Sequence, residues 1–508
     1  MVSSFSSSML VEADLKRVMP RVKRVLLRAW PTGWTAEQVS CVTLSREVWR
    51  LVVTLVLAAL PVVVTAGTEP ARADASTLAP TPPMGWNSWD AYGLTIDEAQ
   101  FKANASVLAG LAGRGWRYAV IDEGWYMEEP LGKDREARHY VVDAYGILNP
   151  AFSRFPSSAG DQGFRPLAEW LHARGLAFGL HIVRGIPKQA VMQNLPIADS
   201  PYRAAEAADT SDLCPWDDGN YGIADNAAGQ AYYDALLRRY AQWGVDFVKV
   251  DCIADHPFRP TEIRQIATAI RKSGRRIVLS LSPGPTQLSH AADVARNAQM
   301  WRIANDVWDG WTFAHRHPED DFPNGLRPIF DYLASWASYA GPGHWPDADM
   351  LPFGWLTPRP GWGEPRHTRL TDEEERSALT LWSIARSPLI LGGNLTRLDP
   401  FTRSLITNRR VLEVNQTARS SRPLVGLRPS LPGVRIWLAL VPSRGRDAFV
   451  IAVFNVNETS QPVRAEWAEL GIAAGAHRIR DLWSGRVATG TGLDLNLPPH
   501  ACAIYRIE

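Results

Sequence analysis

The segment VDFVKVDCIAD, residues 245–255, sets Lys249 and Asp251 two positions apart in an otherwise apolar run. Side chains alternate along a strand, so Phe247, Lys249 and Asp251 share one face and Val248, Val250 and Cys252 the other. Both faces read as covered, and an ionised side chain is costly to bury unless it is paired. The pair is therefore either a satisfied structural ion pair or part of a site. Polar residues end other apolar runs in the same way: Asp122 and Glu123 in VIDEGW, His181 and Arg184 in HIVRG, Ser280 and Ser282 in LSLSPG, and Arg302 and Asp306 in WRIAND. Acidic residues on separate strands, without metal-ligand spacing, suit hydrolysis of a glycosidic bond by two carboxyl groups. Lys249 on the face of Asp251 would favour its anion, which makes Asp251 the expected nucleophile and Asp306 the expected acid. Their carboxyl groups are expected roughly 5 to 7 Å apart, with retention of configuration. No cofactor or metal is expected, because His344 alone beside Asp347 and Asp349 does not make a ligand set. Asp349 is expected to line or support the site.

These strand ends need a scaffold that gathers them. A unit of amphipathic helix, glycine and apolar strand recurs past residue 80. The helix before VDFVKVDC shows the pattern, with Tyr233, Leu236, Leu237 and Tyr240 at helical spacing and Gly244 just past its end. Adding PPMGWNSW at the front, and GHWPDADM and SPLILGGN at the back, makes eight strand candidates. Alternating helices and strands predict a (β/α)8 TIM barrel over residues 76–410, with its site at the carboxyl ends of the strands. A doubly wound fold would need a glycine-rich phosphate loop after an early strand, and there is none. From residue 411 to 508 short alternating runs such as GVRIWLALV and DAFVIAVFNV predict a C-terminal antiparallel β-sandwich packed closely on the barrel.

The formal net charge of +1 gives no reason to expect nucleic acid, whereas 21 tryptophans offer flat faces on which a carbohydrate can stack. Residues 1–75 read as a leader and secretory signal. LVVTLVLAALPVVVTAG follows Arg46 and Arg50, and ARADA gives a cleavage pattern ending at Ala75. Pro61 and the lack of a basic flank argue against a membrane anchor, so the mature protein is expected to be secreted without an integral membrane segment. Cys41 would leave with the leader. An oxidising compartment would favour a Cys214–Cys252 disulfide, with Cys502 unpaired in the last strand. Oligomeric state has no signature here.

PPMGWNSWDAYG, VIDEGW, VKVDC, RIANDVWDGW, WPDADML and LWSIARSPLILGGNL together resemble the successive blocks of glycoside hydrolase family 27, the α-galactosidases and α-N-acetylgalactosaminidases. The resemblance runs from about residue 80 to VLEVNQ at 411–416, and implies a retaining double displacement with Asp251 as nucleophile and Asp306 as acid/base. It also implies sugar contacts from Trp89, Asp122, Lys249 and Arg302. Three departures bear on specificity. The acidic pair after the second strand is usually Asp-Asp, and Glu123 extends about 1.5 Å further toward the place of a 6-hydroxymethyl group. Ser282 stands where α-galactosidases carry a carboxylate that recognises the 2-hydroxyl. His181 and Arg184 replace an aromatic and acidic pair and become candidate substrate contacts. The leading expectation is an exo-acting α-galactosidase, with β-L-arabinopyranosidase and α-N-acetylgalactosaminidase as alternatives of the same mechanism. A non-catalytic carbohydrate-binding barrel is the alternative of another class.

Overall fold

The structure is a computed structural model describing residues 78–131, 140–314, 322–357, 364–424, 433–443 and 445–508. The leader, its cleavage site and Cys41 lie outside the described residues.

All eight predicted strands form: β1 (Met84–Asn87), β2 (Tyr118–Ile121), β3 (Ala177–Val183), β4 (Phe247–Asp251), β5 (Val278–Leu281), β6 (Met300–Arg302), β7 (Trp345–Asp347) and β8 (Leu389–Leu391). They pair in parallel in the order β7-β6-β5-β4-β3-β2-β1-β8. The seam between β7 and β8 is spanned by Leu351, which receives a bond from Gly392 N and donates its N–H to Ile390 O at 2.7 Å. The sheet therefore curls round on itself, as a TIM barrel requires.

Strand alternation divides the barrel interior into two levels. Val120, Phe247, Val278, Met300, Trp345 and Ile390 form an apolar floor. Two residues further along β4, β5 and β6 the inward side chains become Lys249, Ser280 and Arg302, so polar groups stand above that floor. Gly179 on β3 allows the strands to close: a Cβ there would lie 2.7 Å from Val120 Cγ2 and 3.2 Å from the Phe247 ring. Helix α1 (Ala227–Trp243) is capped by Asn226, which accepts from Gly229 N, and stops at Gly244 with φ 86°. Tyr233, Leu236, Leu237 and Tyr240 are its buried stripe.

The first sandwich strand, β9 (Arg419–Pro423), begins later than the expected 411, because Arg409–Thr417 is a helix whose Val411, Leu412 and Val414 join the barrel core. β10 (Val434–Ser443), β11 (Arg446–Asn455), β12 (Gln461–Glu466), β13 (His477–Asp481), β14 (Val487–Gly490), β15 (Gly492–Leu497) and β16 (Cys502–Ile507) complete the domain. One antiparallel sheet has the order β9-β10-β11-β16-β13-β14, and β12 pairs with β15 in the other. Alternation lets the larger sheet bury both faces. Trp437, Ala439, Val450 and Ala452 join the barrel's core against helix α2 (Asp372–Ala385), while Leu438, Ile451 and Val453 meet Val463 and Leu493 of the smaller sheet and Trp467 of the helical turn after β12. The ring of His500 also stacks on Trp311 at 4.0 Å and bonds Glu374 on α2 at 2.7 Å, which ties the sandwich to the loop that carries Asp306.

Candidate active site

The polar strand ends converge on one mouth because parallel register sets them side by side. His181 aligns with Lys249, Lys249 with Ser280, and Asp347 with Arg302. Lys249 does not bond its same-face neighbour Asp251. Its ammonium donates to Asp122 Oδ2 at 2.9 Å, and Asn87 Nδ2 donates to the same oxygen at 2.6 Å. Burial pushes the Asp122 carboxyl up, but the His181 and Lys249 charges and the Glu123 N–H outweigh it and hold Asp122 well below the usual carboxylate range. Burial likewise opposes the Lys249 charge, and the carboxylates of Asp122 and Asp251 raise it above an ordinary lysine.

Asp251 receives the Cys252 N–H at Oδ1, 2.6 Å, and lies 3.3 Å from His181 Nε2 at Oδ2. A carboxylate can only accept, so Nε2 carries the hydrogen of that contact. Desolvation raises the Asp251 carboxyl, and the His181 hydrogen bond, the His181 charge and the Lys249 charge reverse the sign, leaving it below its ordinary value. That is the state a nucleophilic carboxylate needs. His181 is 1% exposed and touches both Asp251 and, at 4.0 Å, Asp122. It therefore supports the two carboxylates rather than standing open on the rim.

Arg184 is not a rim residue, contrary to expectation. Its guanidinium donates to Cys252 O at 2.6 Å, to Glu262 at 2.8 Å and to both oxygens of Asp212 at 2.8 Å. It clamps the residue after Asp251 and the hairpin Ala208–Leu213/Asn220–Ile223. Cys214 of that hairpin's loop forms the predicted disulfide with Cys252. Cys502 is unpaired, as expected, with its thiol pushed up to about 11 by burial.

On the far side Arg302 bridges two acids, donating to Asp306 Oδ1 at 3.1 Å and reaching Asp349 Oδ1 at 2.9 Å. With its other oxygen Asp349 accepts the N–H of Val307, the residue after Asp306, at 2.7 Å. Asp349 is 2% exposed and holds φ 84°, so it supports the Asp306 loop from below and does not present itself to a substrate. Burial pushes its carboxyl up, Arg302 opposes, and Asp306 and Asp347 reinforce the rise. Asp306 itself remains a third exposed, open to the mouth.

Trp89 is half-buried, and its backbone N–H donates to Asn87 Oδ1 at 2.8 Å. Ser282 lies beside Asp251 with its hydroxyl buried and lacking a partner among the described residues. Burial, followed by the charge of Asp217, pushes the Glu123 carboxyl well above the ordinary glutamate range. Asn87 and Asp217 escaped the sequence reading. Asn87 carried a usable signal, a polar residue ending the first strand run. Asp217, in CPWDDGN, looks only like a turn. Among the described residues no group of three or more His, Cys, Asp or Glu is arranged to hold a metal ion, and no helix is long and apolar enough to cross a membrane.

Comparison with known proteins places the chain in a family. A family model described as alpha galactosidase A matches residues 216–417, and one described as the alpha galactosidase C-terminal beta sandwich domain matches 433–507. An alpha-galactosidase A from Cellvibrio japonicus is 27% identical over 85% of this chain and 93% of its own. The structure of a family 27 β-L-arabinopyranosidase from Geobacillus stearothermophilus is 40% identical, with TM-score 0.79, over 85% of this chain and 98% of that one. The chain belongs to glycoside hydrolase family 27. A structure from Bacillus halodurans, described as a putative α-N-acetylgalactosaminidase, is 35% identical over 84% of this chain and 97% of its own, with TM-score 0.72. As a glycoside hydrolase of this family the protein acts on carbohydrate, and its mouth carries two acids with different partners. Asp251, 19% exposed, is held as an anion by His181 and Lys249, whereas Asp306 is 33% exposed and paired with Arg302.

Proposed function

We propose that this protein is a secreted, retaining exo-glycosidase that removes terminal β-L-arabinopyranosyl residues from oligo- or polysaccharides. Asp251 attacks the anomeric carbon while Asp306, as an acid, gives its proton to the leaving glycosidic oxygen. The C1–O bond breaks and a glycosyl ester forms on Asp251. Water then attacks C1, Asp306 takes the water's proton, and the ester bond to Asp251 breaks to release sugar of retained configuration. Asp122 and Lys249, bonded to each other, are the groups on hand for the ring hydroxyls.

The observation that carries the choice of sugar is the placement of Glu123. Its longer side chain lies close enough to Asp217, Asp251 and Asp122 for their charges to act on it. In the family pattern the hydroxymethyl of galactose lies at this position, and β-L-arabinopyranose has the same ring without that group. The similarity to the Geobacillus β-L-arabinopyranosidase, a relative also solved in complex with arabinose, supports the same reading. A second reading, terminal α-D-galactose, is favoured by the α-galactosidase relatives at 27–28% identity. Side-by-side kcat/KM for nitrophenyl β-L-arabinopyranoside, α-D-galactoside and N-acetyl-α-D-galactosaminide decides among them. The arabinopyranoside is expected to lead, and a galactoside preference overturns the first reading for the second. Export is supported by the leader reading, and an N-terminus at Ser76 in the secreted protein would test it.

A further inference from the structure

We propose that Arg184 is a positioning residue for the nucleophile: by holding the carbonyls of Asp251 and Cys252 it fixes the peptide whose N–H anchors the attacking carboxylate. The inference rests on Asp251 as the nucleophile and is independent of which sugar is removed.

The Asp251 carboxylate takes the Cys252 N–H at Oδ1, 2.6 Å. That N–H and the Asp251 carbonyl belong to one planar peptide, so whatever holds the carbonyl also aims the N–H. The Arg184 backbone N–H donates to Asp251 O at 3.1 Å, and its Nε donates to Cys252 O at 2.6 Å. Between these two grips Cys252 stands at φ 61°, in the left-handed region that a residue with a Cβ keeps only where its surroundings impose it. Its side chain is held as well, by the bond to Cys214.

The guanidinium that does this is fixed in turn. Asp212 receives both terminal nitrogens at 2.8 Å, and Glu262 takes a further bond from one of them at 2.8 Å. The Tyr233 hydroxyl donates to Glu262 and accepts the Gly185 N–H at 3.0 Å. Bracing the hairpin against the barrel needs only those terminal nitrogens. Nε goes instead to a carbonyl beside the nucleophile, and a single ammonium cannot reproduce a flat fork engaged on three sides at once. Without the Nε bond Cys252 is free to leave its unfavourable φ, which turns the peptide and shifts the carboxylate it anchors. A displacement of about 1 Å at a reacting group is enough to cost on the order of a hundredfold in rate.

Arg184→Lys keeps a charge for Asp212 and Glu262 but gives up the Cys252 carbonyl. It would be compared with the unaltered enzyme, below its melting temperature, on the nitrophenyl glycoside of the preferred sugar and on an oligosaccharide. Per folded molecule, kcat should fall about ten- to hundredfold with KM within about threefold of the unaltered enzyme. The loss should be equal on both substrates, because attack by Asp251 is common to them, whereas a fault at Asp306 spares the nitrophenyl glycoside. An unchanged kcat in folded Arg184→Lys, a loss carried by KM, or a loss confined to the oligosaccharide overturns the role of Arg184. If Arg184→Lys does not fold, Asp212→Asn, which leaves the Arg184–Glu262 pair in place, carries the test. A fall in kcat of about threefold or more at constant KM supports the inference, and an unchanged kcat overturns it. Asp251→Gly, assayed alongside, separates the two levels. Surviving turnover there overturns Asp251 as nucleophile, whereas an inactive Asp251→Gly beside an unimpaired Arg184→Lys overturns only the positioning role.

Discussion

His181 Nε2 stands 3.3 Å from the Asp251 carboxylate and 4.0 Å from that of Asp122, so one imidazole serves both ends of the Asp122–Lys249–Asp251 array. Its hydrogen bond is the largest influence that lowers the Asp251 carboxyl against desolvation. Asp251 is active as the anion, which exists above its pKa. Removing the donor in His181→Phe should therefore raise that pKa and move the acid limb of the kcat/KM profile to higher pH, by on the order of one unit. His181→Gln, which keeps an N–H, should move it less. An acid limb that stays in place in His181→Phe would show that His181 does not tune the nucleophile.

The double displacement predicts the anomer released first. NMR of early product should show retained configuration, and an inverted anomer would exclude Asp251 as nucleophile. Asp251→Gly should abolish turnover, by about a thousandfold or more, while leaving sugar binding by calorimetry largely intact. Asp306→Ala should lose most activity on substrates with poor leaving groups and less on nitrophenyl glycosides, which need no proton. Azide should then rescue the second step.

Arg184 is buried among Asp212, Glu262 and the Cys252 carbonyl, so its removal leaves buried Glu262 with the Tyr233 hydroxyl but no cation, and Asp212 with Arg259 alone. Arg184→Met should destabilise the fold by roughly 3 to 5 kcal/mol, the usual effect of breaking a buried pair. At temperatures where the variant stays folded, its KM should be nearly unchanged. A raised KM with an unchanged melting temperature would restore Arg184 as a substrate contact.

Glu375, on α2 beneath the sandwich, is pushed up to about 8 by burial from its ordinary 4.5. The folded protein thus keeps a proton there that the unfolded chain loses near 4.5. This makes stability decline as pH rises between about 4.5 and 8, by on the order of a few kcal/mol in total. Glu375→Gln should flatten that part of the melting-temperature profile and be the more stable form at pH 9. Parallel profiles for the two proteins would contradict it.

Much of the fold was legible locally. Period-two runs marked each barrel strand, glycines marked helix ends, and the rule that parallel strands gather their carboxyl ends brought Asp122, Lys249, Asp251, Arg302 and Asp306 to one mouth. The error at Arg184 was avoidable in part, since residues three positions apart on a strand face opposite ways and His181 already occupied the inner face.

The sequence by itself determined the family, the eight-strand order and the two acids expected to do the chemistry, because these depend on local periodicity and on motifs contiguous in the chain. Only the tertiary structure decided which partner each charge takes. Residues two apart on a strand are roughly 7 Å from each other, beyond a hydrogen bond, so Lys249 reaches across β3 to Asp122 instead of to Asp251. Cys252 meets Cys214, and Arg184 meets Asp212, only because a distant hairpin folds back against the end of β4. Such pairings are set by distances between segments that no local pattern encodes, and here they hold the Asp251 carboxyl below its ordinary value.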